Sequence, residues 1–253
     1  MRLICWNVNG IRAAQKKGFI DYVKRENADI VCLQETKAQQ DQLDEELQKI
    51  DGYDSYFVSA EKKGYSGVAI YNKVHPVSII PGCSAQKFDC EGRVIRADYD
   101  DFTLYNIYFP NGGRGPERVR YKLDFYDHML ETWQELRSEG KELIICGDYN
   151  TAHHDIDVAK PKEWSKISGF LPEERAWLDK INDMGYVDTF RHFNKEPNWY
   201  TYWDNFRDAR GRNVGWRIDF FYVTEGLMKR VKDAKIHMEV MGSDHCPIEL
   251  VLE

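Results

Sequence analysis

Short apolar segments recur along the chain at the length of β-strands, and turn or capping residues bound each one. They predict strands at Leu3–Trp6, Ile30–Leu33, Ser55–Val58, Val68–Tyr71, Val94–Tyr99, Thr103–Phe109, Leu143–Cys146, Ile218–Val223 and Ile248–Leu252. Apolar residues at helical spacing predict helices at Ile11–Asn27, Gln40–Ile50, Pro116–Ser138 and Pro172–Met184. Several strands are joined by short turns, which favours antiparallel pairing. The pattern therefore predicts an α/β (α+β) fold in which sheets pack face to face and helices lie outside.

The 253 residues contain no long Pro/Gly/Ser linker, no low-complexity tract and no break in composition. A single domain over residues 1-253 is therefore a simpler interpretation than two small domains. No apolar run is long enough to cross a bilayer, and the first strand becomes polar at Asn7, too early for a secretory signal. We therefore expect a cytoplasmic protein without a membrane partner.

Cysteine spacing and net charge constrain the chemistry less strongly. The six cysteines form no Cys-x-x-Cys pair, so reduced thiols that pack in the interior are expected. A net charge of −7 is weak evidence against a nucleic-acid partner. A site that gathers carboxylates around a metal is locally acidic, however, and only its rim has to be basic in order to contact phosphates.

Five apolar segments are followed directly by Asp, Glu, Asn or His. The five polar steps are Asn7–Gly10, Gln34–Lys37, Gly147–Asn150, Arg217–Asp219 and Gly242–His245. Each alone is more often a cap or a turn. Segments Leu3–Asn9 and Leu143–Asn150 also resemble each other, which suggests two similar halves. If these strand ends meet at one rim, they provide oxygen ligands, amide donors and an imidazole, which metal-assisted phosphodiester cleavage requires.

The chemistry assigns candidate roles to these side chains. Glu35 is the first choice as ligand of a hard divalent cation, and Asp148 could accept or return a proton. Asn7 and Asn150 could orient water and phosphate through their amides. Because no His/Cys spacing resembles a zinc site, we expect Mg²⁺ as the cofactor, with Mn²⁺ as a substitute.

His245 is a candidate phosphate donor. A carboxylate beside it, provided by Asp219, would raise the pKa of the imidazole and keep it protonated. A lone histidine is more often a surface or core residue, and the preceding Gly-Ser turn and the neighbouring Asp244 favour the functional role.

Aromatic and basic residues alternate between Trp199 and Arg217. The stretch is either an amphipathic strand pair with an exposed loop or a nucleic-acid surface. In the second case, phosphates would be bound by Arg207, Arg210 and Arg212. A flat-walled sugar pocket would be formed by Tyr202, Trp203 and Trp216. The Gly-rich loop Asn111–Gly115 could present Arg114 to a DNA groove, although a plain exposed turn is equally natural.

Six motifs occur in the order of a known family. They are Gln34–Lys37, Gly64–Val68, Tyr108–Asn111, Gly147–His153, Asn213–Asp219 and Gly242–Ile248. With these motifs the chain resembles, nearly end to end, the exonuclease III-type abasic (AP) endonucleases of the endonuclease/exonuclease/phosphatase superfamily. The resemblance implies a four-layer α/β sandwich of two mostly antiparallel sheets.

The resemblance also implies a function. It is metal-dependent hydrolysis of the phosphodiester 5′ to an abasic site in duplex DNA, leaving a 3′-hydroxyl, with 3′-5′ exonuclease and 3′-end-cleaning activity. The expected partner is double-stranded DNA with abasic or 3′-blocked sites. A monomer is expected, nucleoid-associated in a prokaryote.

Individual roles carry over to matching positions. Glu35 would be the main metal ligand with Asp244 and Asn9 nearby, although many relatives have aspartate in place of Asn9. The residues implied to hold the phosphate are Asn7, Tyr108, Asn150 and His245, with Asp219 supporting the imidazole. The walls of the pocket for a flipped-out baseless sugar would be Tyr202, Trp216 and Ile218. Backbone or groove contacts are expected from Lys37, Tyr65, Asn111, Arg114, Trp203 and Arg207.

Two alternatives remain at this stage. One is another phosphodiesterase of the superfamily, such as a nonspecific deoxyribonuclease, an inositol-phosphate phosphatase or a sphingomyelinase. The aromatic-basic stretch and the Gly-Arg-Gly loop favour a duplex with one extruded sugar over those substrates. The other is a DNA-binding module without catalysis, which would have no need of Glu35, Asp148 and His245.

Overall fold

The computed structural model describes all 253 residues, and its strands form two six-stranded sheets. The strands are β1 Arg2–Asn7, β2 Ile30–Gln34, β3 Asp54–Val58, β4 Val68–Asn72, β5 Ser78–Pro81, β6 Val94–Asp98, β7 Thr103–Tyr108, β8 Leu143–Asp148, β9 Tyr186–Asp188, β10 Asp219–Thr224, β11 Val231–Ile236 and β12 Ile248–Leu252. The helices are α1 Ile11–Gln15, α2 Phe19–Glu26, α3 Glu45–Gln48, α4 Gln86–Asp89, α5 Pro116–Ser138, α6 Pro161–Trp164, α7 Pro172–Asp183, α8 Thr189–Phe193 and α9 Glu225–Met228. No helix combines the length and the apolar character needed to cross a bilayer.

The two sheets share one arrangement. The first has the order β11-β12-β1-β2-β4-β3, and the second, read from its other edge, has the order β9-β10-β8-β7-β6-β5. Each sheet contains a single parallel pair, β1 with β2 and β7 with β8, and the remaining pairs are antiparallel. Strands β1 and β8 therefore occupy equivalent places, which agrees with the sequence similarity of the two segments.

Alternation of side chains along the central strands builds the layers. In β1, Leu3 and Cys5 pack in the core between the sheets, whereas Ile4 and Trp6 pack outward under α1 and α2. The outer face of the second sheet packs in the same way under α5 and α7. Because both faces are covered, the central strands are apolar throughout rather than alternating. The four-layer α/β sandwich expected from the resemblance is therefore confirmed.

The boundaries differ from the prediction in two respects. The expected helix Ile11–Asn27 is divided into α1 and α2, with Gly18 between them at φ 89°, a left-handed conformation that favours glycine. The segment Gln40–Ile50 is likewise divided into a 3₁₀ turn and the short α3. Three strands were not predicted, β5, β9 and β11, and all three lie at sheet edges. Edge strands are short and partly exposed, so their apolar signal is weak.

All six cysteines are free, as their spacing predicted. Five of them are buried, and Cys5, Cys32 and Cys146 belong to the core between the sheets. These thiols act as small apolar side chains in the packing.

Candidate active site

Polar residues at the ends of strands from both sheets meet at one end of the sandwich. Parallel pairing places Asn7 at the end of β1 beside the end of β2, which Glu35 follows directly. In the second sheet, Asp148 pairs with Tyr108 on one side and with Asp219 on the other. The strand pairing therefore brings these polar residues together at one end of the sandwich, as the sequence predicted.

The backbone at this end adopts left-handed conformations at several residues other than glycine. Positive φ angles occur at Asn9 (45°), Glu35 (52°), Lys37 (49°) and Asn150 (51°). Asparagine tolerates the left-handed conformation, whereas Glu35 and Lys37 adopt it at a cost of about 1–2 kcal/mol each. Such strain persists only where surrounding contacts fix the backbone, and it is concentrated at functional sites.

A buried asparagine joins the two sheets. The Nδ2 atom of Asn7 donates to Glu35 Oε1 at 2.9 Å and to Asp148 Oδ2 at 2.8 Å. Since Asn7 is 0% exposed, it lies beneath the site and fixes the spacing of the two carboxylates. The Asn7 Oδ1 atom in turn accepts from the backbone N–H of Asn9 at 3.0 Å, so the whole amide is occupied and Asn7 positions the two carboxylates.

Asn9 and Lys37 hold the acidic groups at the side of the site. Asn9 Nδ2 donates to Asp244 Oδ2 at 3.0 Å, and its Oδ1 accepts from Lys37 Nζ. Lys37 also forms an ion pair with Glu35 at 2.7 Å. Both ends of the Asn9 amide are therefore occupied, and this residue orients Asp244 rather than presenting a free ligand oxygen.

An imidazole lies between two buried carboxylates. His245 Nδ1 is 2.8 Å from Asp219 Oδ2, and its Nε2 is 3.8 Å from Asp148 Oδ2. Burial alone would lower the pKa of His245, but the negative charges of Asp219 and Asp148 outweigh it and raise this pKa to about 10. Burial, reinforced by the charge of Asp219, raises the pKa of Asp148 to about 7, although the charge of His245 acts in the opposite direction. The imidazole therefore stays protonated at neutral pH and can donate a hydrogen bond, whereas Asp148 can exchange a proton near neutral pH.

Tyr108 and Asn150 complete the floor of the site. Burial, together with the negative charges of Glu35 and Asp148, raises the pKa of Tyr108 well above its usual value, so its hydroxyl remains a donor. The backbone N–H of Asn150 donates to Asp148 Oδ1 at 2.8 Å. Asn111 Nδ2 donates to Asn150 Oδ1 at 2.8 Å, which fixes the amide orientation. These bonds make the donors rigid before any substrate binds.

The donor set fits a hard divalent cation. Ligand atoms of Glu35, Asp148 and His245 all lie within 4.8 Å of one another, and Asp244 lines the same cleft. His245 is an unsuitable ligand because its pKa is raised and its Nδ1 is held by Asp219. The remaining groups are carboxylates, which Mg²⁺ and Mn²⁺ prefer.

These residues open into a cleft of about 970 Å³ whose rim is basic. The cationic side chains along it are Lys37, Arg93, Arg114, Arg118, Lys160, Arg207 and Arg212. A protein with a net charge of −7 therefore has an acidic centre surrounded by positive charge. This distribution attracts a polyanion to the rim and a cation to the centre.

An apolar part of the cleft, here called the pocket, adjoins the acidic centre. It is lined by Trp164, Tyr202, Trp216 and Ile218, and Ala152, Val158 and Phe170 are buried behind this wall. The Tyr202 ring is 4.8 Å from the His245 ring, which places the pocket beside the proton donor. The predicted walls Tyr202, Trp216 and Ile218 are therefore brought together as expected.

Two residues of the aromatic-basic stretch do not reach the cleft as expected. Trp203 is 2% exposed and packs in the core between the sheets, so its expected DNA contact is corrected to a packing role. The Arg210 guanidinium lies over the Trp203 ring and donates to the carbonyls of Ser243, Met238 and Val240. It anchors the loop before β12 instead of binding phosphate. Arg207 and Arg212 do line the cleft.

The sequence did not indicate the arginines that hold Tyr65. The Tyr65 hydroxyl accepts from Arg93 Nη2 at 2.9 Å and from Arg118 Nη2 at 3.1 Å. Glu91 in turn pairs with both arginines. Arg93 directly precedes a strand and Arg118 lies in the first turns of a long helix, so neither stands in a polar motif. With two cations donating to its oxygen, the Tyr65 hydroxyl hydrogen is free to point elsewhere.

A second cluster of buried charges supports the pocket from behind. Arg217 pairs with Asp157 at 2.7 Å and with Asp188 at 2.7 Å, and Arg191 also pairs with Asp157 at 2.7 Å. Burial acts against the charge of Asp157, but Arg217 and Arg191 outweigh it and hold its pKa well below the usual range. We refer to Asp157, Asp188, Arg191 and Arg217 as the balanced cluster. It fixes the backbone between Trp216 and Ile218.

Comparison with known proteins agrees with this geometry. The model of the Endonuclease/Exonuclease/phosphatase family matches residues 4–245. An exodeoxyribonuclease of Bacillus subtilis (strain 168) is 44% identical over 254 residues, covering 100% of this chain and 99% of the relative. A DNA-(apurinic or apyrimidinic site) endonuclease of Dictyostelium discoideum is 42% identical, covering 100% of this chain and 71% of the relative. The structure of an AP endonuclease from Archaeoglobus fulgidus superposes with a TM-score of 0.91 at 29% identity, covering 100% and 99% of the two chains.

Proposed function

The chain belongs to the endonuclease/exonuclease/phosphatase family, and on this premise we propose that it is a DNA repair nuclease acting at abasic sites. It hydrolyses the phosphodiester 5′ to the baseless sugar in duplex DNA and leaves a 3′-hydroxyl. The observation that carries the proposal is the position of the His245–Asp148 pair, between the carboxylate of Glu35 and the apolar wall of Tyr202, Trp216 and Ile218.

The side chains divide the reaction among them. His245, held protonated by Asp219, donates from Nε2 to a phosphate oxygen and stabilises the charge that develops there. Asp148 takes a proton from the attacking water or returns one to the leaving oxygen, since its pKa of about 7 allows either at neutral pH. Tyr108 acts as a further donor to the phosphate. Asn150, whose Nδ2 donates to the Phe109 carbonyl at 2.9 Å, orients Asp148 through its backbone N–H. Asn7 and Asn9 keep the acids in place.

We propose Mg²⁺ as the cofactor, with Mn²⁺ as a substitute. Glu35 and Asp244 would hold it, with Asn9 orienting Asp244. When bound, the cation supplies Lewis-acid stabilisation of the phosphate charge and of the leaving oxyanion. The ion pair between Lys37 and Glu35 then contributes by neutralising part of the acidic centre.

The cleft supports a duplex substrate with one extruded sugar. The basic rim contacts the phosphate backbone through Lys37, Tyr65, Asn111, Arg114 and Arg207, and the pocket of Tyr202, Trp216 and Ile218 receives the sugar. Extruding a baseless sugar requires little energy because no base has to be unstacked. We propose that the same centre trims and cleans 3′ ends, and that the enzyme acts as a monomer on the DNA of the cytoplasm.

Cleavage of a duplex with one abasic analogue, with Mg²⁺ and with chelator, tests the proposal. We expect chelator-sensitive incision on the 5′ side of the lesion. Glu35→Ala should lose at least a hundredfold in rate, about the scale of a lost metal or electrostatic contribution. Glu131→Ala on the exposed side of α5 is the matched control and should retain the wild-type rate.

The same assay distinguishes the alternatives. Equal rates on undamaged duplex and on the abasic duplex would indicate a nonspecific deoxyribonuclease. Release of phosphate from an inositol phosphate in place of DNA incision would indicate a phosphatase. Tight binding of the abasic duplex without any incision would indicate a silent DNA-binding relative.

A further inference from the structure

A second tryptophan stacks on the tryptophan of the sugar pocket. Trp164 is the last residue of α6, and its indole is nearly parallel to that of Trp216, with 4.4 Å between ring centroids and 9° between planes. Both residues line the cleft. Parallel contact at this distance leaves no gap between the rings, so Trp164 covers one face of Trp216.

Trp216 is restrained on its other sides as well. Its backbone N–H donates to the Tyr202 carbonyl at 2.9 Å, and its carbonyl accepts from the Tyr202 N–H at 2.9 Å. The Phe170 ring meets the indole edge-on at 88°. A Cβ atom at Gly169 would lie only 3.5 Å from Trp216 Cζ3, so the backbone itself packs against the ring. Trp164 is therefore the contact that restrains the remaining exposed face.

The helix that carries Trp164 is built to hold it there. Pro161 starts α6, and the Trp164 N–H donates to the Lys160 carbonyl at 3.0 Å. Lys160 also pairs with Glu163 across the single turn at 3.0 Å. Beyond the turn, Ile167 lines the cleft while 48% exposed, which extends the apolar wall outward.

Resting on the function proposed above, we propose that Trp164 determines specificity by keeping the sugar pocket too small for a nucleotide that carries a base. A base adds a flat ring beside the sugar, and the space next to Trp216 is filled by Trp164. Trp216 cannot move into that space while the two rings stack. Without Trp164, the wall becomes mobile and the pocket admits nucleotides that still carry their bases.

Two duplexes that differ at one position test this inference. One carries an abasic analogue and the other an undamaged nucleotide, and kcat/KM is measured on both for wild type, Trp164→Ala, Trp164→Phe and Lys162→Ala. In Trp164→Ala we expect the ratio of the two kcat/KM values to fall at least about tenfold, the scale on which a hydrophobic wall discriminates. Trp164→Phe keeps a ring on Trp216 and should retain most of the selectivity, and Lys162→Ala on the same helix should retain all of it.

Circular dichroism checks the stack itself. Stacked indoles contribute an exciton signal in the far ultraviolet, and the Trp133–Trp177 pair, 6.2 Å apart, contributes another. The difference spectrum between wild type and Trp164→Ala should therefore contain the contribution of the Trp164–Trp216 stack. Equal losses on both duplexes would identify Trp164 as a binding platform and overturn the inference. A difference spectrum that shows loss of the stack together with an unchanged ratio would overturn it too. Failure of the wild-type enzyme to prefer the abasic duplex would instead contradict the proposed function.

Discussion

Two buried charged clusters adjoin each other in this protein and behave in opposite ways. The balanced cluster contains two carboxylates and two guanidiniums, and each carboxylate has an arginine at 2.7 Å. The second cluster contains Asp148, Asp219 and His245, with Glu35 at its edge, and its negative groups outnumber its one cation. We refer to it as the acidic cluster. Arg217 of the first and Asp219 of the second are separated by a single residue.

The two clusters shift the pKa of a buried aspartate in opposite directions. Asp157 and Asp148 are both buried, yet the pKa of Asp157 is held far below its usual range while that of Asp148 rises to about 7. Complete pairing makes a buried charge part of the scaffold, whereas a surplus of negative charge leaves a group ready to bind a proton or a cation. A perturbed pKa therefore identifies the site only when its direction and its partners are considered.

The largest effect should follow from removing the proton-exchanging group of the acidic cluster. Asp148→Asn should lower kcat about a thousandfold or more, because the amide can neither accept nor return a proton. The free energy of unfolding should not fall, since the change removes a charge that Asp219 repels. Steady-state kinetics and urea denaturation measure the two quantities, with Asp127→Asn on the exposed face of α5 as the control. Loss of stability with kcat intact would reverse the roles that we assign.

The corresponding change in the balanced cluster should act on stability. Arg217→Met leaves Asp157 buried without its main partner and should lower the free energy of unfolding by about 3–5 kcal/mol. Arg230→Met removes an arginine whose side chain is 33% exposed and paired with Asp101, and should cost less than about 1 kcal/mol. Urea denaturation compares the two variants. Equal midpoints would show that the buried pairs do not maintain the scaffold.

A smaller effect is expected from changing Asp219, the residue that orients the protonated His245. Asp219→Asn keeps a partner for His245 but removes the negative charge that raises the pKa of the imidazole. We expect kcat to fall about 10- to 100-fold, and the alkaline limb of the pH–rate profile to move to lower pH. Asp188→Asn in the balanced cluster should leave that limb in place. Coincident profiles for wild type and Asp219→Asn would contradict a protonated His245.

The smallest predicted effect concerns stability and pH in the presence of chelator. The pKa of Asp148 is raised to about 7 on folding, so between about pH 4 and 7 the folded protein retains a proton that the unfolded chain releases. Stability from this group therefore falls as pH rises across that range. Asp157 has a lowered pKa, so its contribution is present above about pH 4 and is lost only in stronger acid.

Asp148→Asn should consequently gain stability relative to wild type as the pH rises from about 4 to about 5.5, below the range where His245 titrates in the unfolded chain. Urea denaturation at several pH values measures the difference. A constant difference across this range would show that Asp148 has an ordinary pKa in the folded protein.

Much of the fold could be predicted from the sequence because the central strands carry a strong apolar signal. Strands such as β1 and β8 are covered on both faces, so their residues are apolar without interruption. The edge strand β11, with the sequence Val-Lys-Asp-Ala-Lys-Ile, alternates with exposed polar residues and was missed. The break at Gly18 was missed as well, because the helical spacing of apolar residues continues on both sides of it.

The acidic cluster was predictable because its members stand at or beside the ends of apolar strands, in recognisable motifs. The balanced cluster was not, since Asp157 and Asp188 lie in segments without a motif and meet Arg217 only through long-range contacts. Trp164 was missed for a related reason. Its four-residue helix has no amphipathic pattern, and only the folded chain brings it onto Trp216. The buried position of Trp203 could not be predicted either, because the sequence does not distinguish an aromatic residue of a pocket wall from one of the core.

The central claim is that the surplus negative charge of the acidic cluster exists to hold a divalent cation. Titration calorimetry with Mg²⁺ on the DNA-free protein tests it directly, in wild type, Glu35→Gln and Asp188→Asn. We predict a binding isotherm in wild type and in Asp188→Asn, and binding at least about tenfold weaker in Glu35→Gln. Unchanged binding in Glu35→Gln, or no binding in wild type, would contradict the account.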